Sequence, residues 1–284
     1  MAITNFQPEI WSRLILANLR ASLVYGQAGI INRDYEGEIA TAGDTVHITS
    51  FTDPAVRDYT KNTDISWDLL TDATLALLID QADYFAFTVD DIDRRQALPG
   101  FVAAASRGAA YNLASEADGY LSAAMYAAVN GTANDFGAYA ATIAAANAYA
   151  LFVELRTILN RDNVPVQGRW VVVPPEVTAA LLQDDRFIRA DASGTTQGLR
   201  NGIVGRIAGF DVFESNVTPD PTASVFAVIA GHPIATTFAE QITSTEAIRL
   251  EDQFGDGVRG LHLYGAKVVR AEALAMASVT VTAT

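Results

Sequence analysis

An alanine-rich run from Gly100 to Val129, free of proline, restricts the fold of this chain more than any other feature. Leu113, Ala117, Leu121, Met125 and Ala128 recur in it at three-to-four spacing, the period of one buried helical face. At 1.5 Å per residue such a helix spans about 43 Å. In a chain of 284 residues a rod of that length predicts a spine that supports a thin, plate-like molecule. The remaining patterns divide around it. Ala144–Leu159 reads as a second helix with Ala148, Phe152, Leu155 and Leu159 on one face, and Glu176–Gln183 as a short third helix begun by Pro175 and Glu176.

Before the spine, turn residues at Gly37, Gly43-Asp44, Asp53-Pro54 and Asn62-Thr63-Asp64 punctuate Thr45–Thr49, Ala55–Tyr59 and Asp64–Leu69, which predicts strands in long hairpins. The stretch from Gly43 to Asp72 is rich in Asp, Thr and Arg and poor in aliphatic residues, so it buries little on its own. A hairpin projecting from the body and supported by a partner accounts for that. Ala73–Leu78 and Tyr84–Val89 are more apolar and suit a core sheet. After the spine come a turn-rich segment at Asn130–Tyr139, a buried strand at Arg169–Val173 and a loop at Asp191–Gly205. Strands are then predicted at Phe210–Glu214, Ser224–Ala230, Ala247–Glu251, Val258–Tyr264, Lys267–Arg270 and Ala277–Thr282. At the other end Phe6, Ile10, Trp11, Leu14, Ile15 and Leu19 form a short amphipathic arm. Its apolar stripe is covered either by the body of the subunit or by a neighbour.

Composition narrows function mainly by exclusion. With no cysteine there are no disulfides, thiolate metal sites or cysteine nucleophiles, which fits a cytoplasmic origin. A net charge of −14 opposes a nucleic-acid reader, which needs a dense basic face. It suits a container wall that must not adhere to DNA packed beside it. Only Lys61 and Lys267 accompany the arginines, and arginine's planar fork favours fixed interface pairs. The N-terminus lacks the pattern of a secretory signal, and no apolar run is long enough for a membrane span.

His47, His232 and His262 lie far apart without ligand partners at spacing, and read as strand or turn histidines. Asp90, Asp91 and Asp93 carry the oxygen ligands a hard cation takes, but they also cap a following turn beside Arg94 and Arg95, and that reading is preferred. The glycines of Gly202-Ile203-Val204-Gly205-Arg206-Ile207-Ala208-Gly209 miss both nucleotide-loop spacings and predict tight turning before a strand. Gly255-Asp256-Gly257 suits a hairpin end. There is no Gly-x-Ser-x-Gly elbow. No catalytic, metal or cofactor-binding residue is assigned, and a non-enzyme without cofactors is expected.

The order of segments resembles a known family. Phe6-Gln7-Pro8-Glu9-Ile10-Trp11-Ser12, Tyr35-Glu36-Gly37-Glu38-Ile39 with Gly43-Asp44-Thr45-Val46, and Thr88-Val89-Asp90-Asp91-Ile92-Asp93 before a long helix are similar to major capsid proteins of tailed bacteriophages. So are Trp170–Pro174, Gly205–Ser215 and Gly260–Arg270 in the second half. The resemblance implies an α+β fold of the Hong Kong ninety-seven capsid type. Its parts would be an N-terminal arm at 1–34, an extended hairpin loop at 35–80, a peripheral domain with the spine helix at 81–137 and 240–284, and an axial domain at 138–239. It implies a protein that assembles in the host cytoplasm into the icosahedral shell of a virion enclosing double-stranded DNA. Its partners would be itself in hexamers and pentamers, a separate scaffolding protein, a portal and decoration proteins, with packaged DNA nearby but not bound by sequence, and no membrane. Intersubunit contacts are expected from Trp11, Asp53, Arg57, Asp58, Tyr59, Lys61, Asp64 and Trp67. Lys61, in the region where some relatives form isopeptide cross-links, reads here as a solvated side chain. The alternatives are an encapsulin-like nanocompartment shell and, from other classes, a soluble hydrolase with an unrecognised carboxylate site or a monomeric binding module.

Overall fold

The computed structural model describes residues 23–34, 45–51, 54–62, 64–65, 67–68, 72–90, 101–140, 142–184, 205–222, 224–250 and 254–281. The amphipathic arm at 6–19, the entry to the hairpin at 35–44, the acidic positions Asp91 and Asp93, and most of the 191–205 loop lie outside these residues.

The alanine-rich run forms one helix, α1 (Phe101–Val129), of 29 residues. Leu113, Ala117, Leu121 and Met125 are buried along it, as the spacing predicts, whereas the last turn buries Val129 and leaves the expected Ala128 only half-buried. Helices α2 (Ala145–Arg161) and α3 (Pro175–Leu182) also form where the pattern places them. The Asn147 side chain fixes the start of α2, accepting from the Ala144 N–H at 2.8 Å and donating to the Thr142 carbonyl at 3.0 Å. Pro175 and Glu176 open α3.

Eleven strands arrange in three sheets among the described residues. β1 (Thr45–Phe51) pairs antiparallel with β2 (Asp72–Leu78), from Thr45 opposite Leu78 to Phe51 opposite Asp72. β3 (Gln81–Asp90), β10 (Gly255–Val268) and β9 (Thr236–Arg249) make an antiparallel sheet with β10 in the middle. The third sheet has the order β4-β11-β8-β5-β7-β6. Its members are β4 (Asp135–Ala140), β5 (Trp170–Val173), β6 (Arg206–Ile207), β7 (Phe210–Glu214), β8 (Val225–Gly231) and β11 (Leu274–Thr280). β6 and β7 meet through a two-residue turn in which Ala208 (φ 49°) and Gly209 (φ 91°) are both left-handed, the tight turn expected before that strand.

Several expectations need correction. Ala55–Tyr59 and the described part of Asp64–Leu69 form no strand. The hairpin ladder stops at Phe51 and Asp72, Asn62 turns the chain at φ 65°, and the described residues between have no strand beside them to satisfy a ladder. Asp135–Ala140, read as turn-rich, is a strand parallel to β11 with an irregular register around Gly137 (φ 74°). Lys267 and Val268 continue β10 instead of starting a new strand. β9 begins at Thr236, well before the expected Ala247, because it buries Thr236, Thr237 and Glu240, which no apolar alternation announces. β10 joins β3 and β9, and Leu274–Thr280 lies between β4 and β8 in the six-stranded sheet.

Most buried apolar residues form one cluster under α1 and α2 against the six-stranded sheet. A second, small cluster of Leu77, Ile79, Ala239 and Leu263 fastens the base of the β1–β2 hairpin to the three-stranded sheet. Gly265 makes that joint possible. A Cβ there would stand 2.3 Å from the Leu78 carbonyl oxygen and 3.0 Å from the Ile79 Cα, both backbone atoms. Gly265→Ala is expected to lower stability by about 1–3 kcal/mol through overpacking. The check is the urea midpoint of the unassembled subunit, which an unchanged value would contradict.

Candidate functional site

The expected contact residues gather on the segment that the β1–β2 hairpin carries away from the body. Arg57, Asp58, Tyr59, Lys61, Asp64 and Trp67 are all exposed there, whereas Trp11 and Asp53 lie outside the described residues. Trp67 is 88% exposed, Tyr59 76%, and Val56 and Ile65 are similarly open. Single exposed apolar residues are ordinary, but here four large ones stand exposed on one loop.

One residue that sequence reasoning passed over organises this segment. Asp68 accepts the Ala55 N–H at 3.1 Å and the Arg57 guanidinium at 2.5 Å, and so ties the outgoing and returning arms together. Both charged side chains stay partly exposed, so their pairing adds little stability and mainly sets shape. The sequence signal was available only in retrospect, as an acidic residue across a turn from an arginine. Together with the left-handed Asn62, this presents Tyr59 and Trp67 outward from a loop of defined form.

Among the described residues the other chemistry-bearing groups do not assemble into a reactive centre. His232 closes a turn, with Nδ1 accepting from the Ile234 N–H and Nε2 within 3.1 Å of the Gln167 carbonyl, and burial lowers its proton affinity. His47 stands opposite Ala76 on β1. His262 is wholly buried, its Nε2 3.3 Å from Glu240 Oε2, and Glu240 also takes the Arg33 guanidinium at 2.7 Å. Burial works against the ionised Glu240, but His262 and Arg33 outweigh it and hold the carboxyl below its usual range. This triad is closed to any substrate and joins residues 23–34 to β9 and β10. Among the described residues no group of three or more His, Cys, Asp or Glu is arranged to hold a metal ion. No helix among them is long and apolar enough to cross a membrane. A surface groove of about 710 Å³ runs between β3 and α1 past Tyr84, Phe85, Phe87, Asn112, Leu113 and Glu116. It holds no pairing of nucleophile and base.

Residues 71–277 match a family model described as phage capsid protein. A structure of Mycobacterium phage Che8 superposes with a TM-score of 0.71 at 32% identity, over 97% of this chain and 98% of that one. The asymmetric unit of the mature capsid of bacteriophage PhiM1 gives a TM-score of 0.63 at 17% identity, covering 84% and 82% of the two chains. For the capsid of cyanophage P-SCSP1u the TM-score is 0.66 at 15% identity, covering 98% and 100%. At those lower identities the likeness concerns the fold. No curated protein matches the chain.

Proposed function

This chain belongs to the phage capsid protein family, and from that premise we propose how it builds a shell. It is a shell-forming major capsid protein of the Hong Kong ninety-seven type. The loop around Val56–Trp67 lies across a neighbouring subunit, with Trp67 and Tyr59 as apolar anchors and Arg57, Asp58, Lys61 and Asp64 as polar contacts around them. Trp11 and Asp53 belong to the same interface. The observation that carries this reading is the outward display of Tyr59 and Trp67 on a loop shaped by its own Asp68. Repeated around a closed lattice, such contacts add through multivalency, and no single one need be strong.

The division of labour we infer is an arm at 1–34, a loop at 35–80, a peripheral part at 81–137 with 240–273, and an axial part at 138–239 completed by β11. Hexamers and pentamers of this chain form the wall, with a scaffolding protein and a portal as partners during assembly in the host cytoplasm. Double-stranded DNA fills the lumen without being read, in keeping with a net charge of −14. Expression of the chain with its genomic neighbours, followed by negative-stain microscopy, tests the function. Closed shells of uniform size are expected, and a preparation containing only small discrete particles would count against it.

A further inference from the structure

Residues Leu23–Asp34 form a strap that connects residues 1–22 to the body, and its two ends are held by different chemistry. At the Asp34 end the strap runs beside β9: Asn32 donates to the Thr236 carbonyl and accepts from the Phe238 N–H. There the Arg33 guanidinium bonds the Gly26 carbonyl, pairs with Glu240 and lies over the Phe238 ring. Charge at this end is compensated. At the Leu23 end the strap rests on the spine helix through Asp118, whose carboxylate is buried, with the residue 3% exposed. Its Oδ2 accepts the Val24 N–H at 2.6 Å and its Oδ1 the Gly26 N–H at 3.1 Å. Among the described residues no lysine, arginine or histidine forms an ion pair with it.

A buried carboxylate that meets amide dipoles and no cation among the described residues is costly to keep ionised, and a proton is the simplest remedy. The route for one exists. A cavity of about 180 Å³ lies beside Asp118, lined also by Val24, Tyr111, Ser115, Glu214 and Ser215.

We infer that the strap is a proton-linked latch: it seats most firmly on the spine helix when Asp118 carries a proton, and loosens when that carboxyl ionises. The direction follows from what seating does to the acid. Burial raises the Asp118 proton affinity to about 6 from an ordinary 3.8; the amides of Val24, Gly26 and Tyr25 oppose this, and the nearby Glu240 adds to it. A group whose affinity for protons rises on seating favours the seated state at low pH. Its contribution is complete below the ordinary value and disappears as the pH climbs through about 6. Glu240 has the opposite sign, since its value is lowered, so its contribution is lost on stronger acidification. The strap is therefore tighter at pH 5 than at pH 8. The remaining groups around the site do not reverse this. Burial and Asp118 push Tyr25 well above its usual range, and burial and Asp83 do the same for Tyr264, so both hydroxyls stay neutral. Glu214 lines the same cavity and brings no positive charge to it. His262 and Arg33 face Glu240 at the other end.

Residues 1–22 thus attach to the body through a joint whose firmness depends on pH. Amide hydrogen exchange of the full chain, corrected for intrinsic rates, tests this. Protection of Val24 and Gly26 is expected to fall between pH 5 and pH 8 by about tenfold, with a midpoint a little below 6, since a shift from 3.8 to about 6 has most of its effect below pH 5. Val171 and Val172 in the core sheet should show no such step. Asp118→Asn should abolish it. Glu240→Gln should keep the step and move its midpoint to lower pH, by removing the charge that favours the Asp118 proton; this variant decides the matter should the Asn form fail to fold. Protection that is flat or greater at pH 8, a step surviving in Asp118→Asn, or a midpoint unmoved in Glu240→Gln would overturn the latch.

Discussion

A chain in which Val56–Asp64 is replaced by a short glycine-serine bridge is expected to yield soluble, folded subunits and no closed shells. The loss falls on assembly because the segment contributes nothing to the core. Its described residues are exposed, the seven-residue strands β1 and β2 pair outside it, and the cluster of Leu77, Ile79, Ala239 and Leu263 that secures the hairpin base is untouched. Surface changes away from such features alter stability by no more than about 0.5 kcal/mol. The melting temperature should therefore stay close to that of the parent. Assembly responds differently, since each subunit would lose the same contact and a closed lattice multiplies that loss. Trp67→Ala or Tyr59→Ala should lower the yield of shells without abolishing them, as truncation of one anchor in an interface does. Size-exclusion chromatography and negative-stain microscopy of the shortened chain decide the matter, and intact particles would sink the proposed role of the loop.

The elements were legible in the sequence wherever one strong period ran undisturbed. The α1 spacing from Leu113 to Met125 had no rival reading, and α2 and β5 were similarly plain. Legibility failed where burial and polarity part company. β9 buries Thr236, Thr237 and Glu240, and Glu240 is tolerable there only because Arg33 and His262 meet it from distant parts of the chain. A window along the sequence sees an acid that should be exposed. The arms of the projecting loop failed for the opposite reason. Ala55–Tyr59 alternates like a strand, but a strand requires a ladder partner, and the described residues supply none. The proposed contact residues were chosen from their types and position, whereas Asp68 and Asp118 gave no such signal, because the importance of each lies in backbone amides it meets only after folding.

Trp170→Ala is expected to cost the subunit about 3–5 kcal/mol, the usual range for truncating a large aromatic in a packed core. Trp170 is 1% exposed on β5, between β8 and β7 in the six-stranded sheet. Its cross-strand partner in register is Gly231, and the pairing is tight. A Cβ on Gly231 would stand 3.1 Å from the indole Cζ2, 2.6 Å from Leu274 Cδ2 and 2.9 Å from the Ala273 carbonyl oxygen. The absence of a side chain at 231 is thus what seats the indole beneath β11. Removing the ring leaves a void that the flanking buried backbone closes only in part. With about 2–4 °C per kcal/mol in domains of this size, the melting temperature of the unassembled subunit should fall on the order of 10 °C. Trp170→Phe should cost much less. It keeps most of the packed area and removes an indole N–H that finds no hydrogen-bond partner in the fold. Thermal unfolding of the two variants separates the contributions: if Phe proves as damaging as Ala, the indole contributes through more than the space it fills, and the packing argument for this sheet fails.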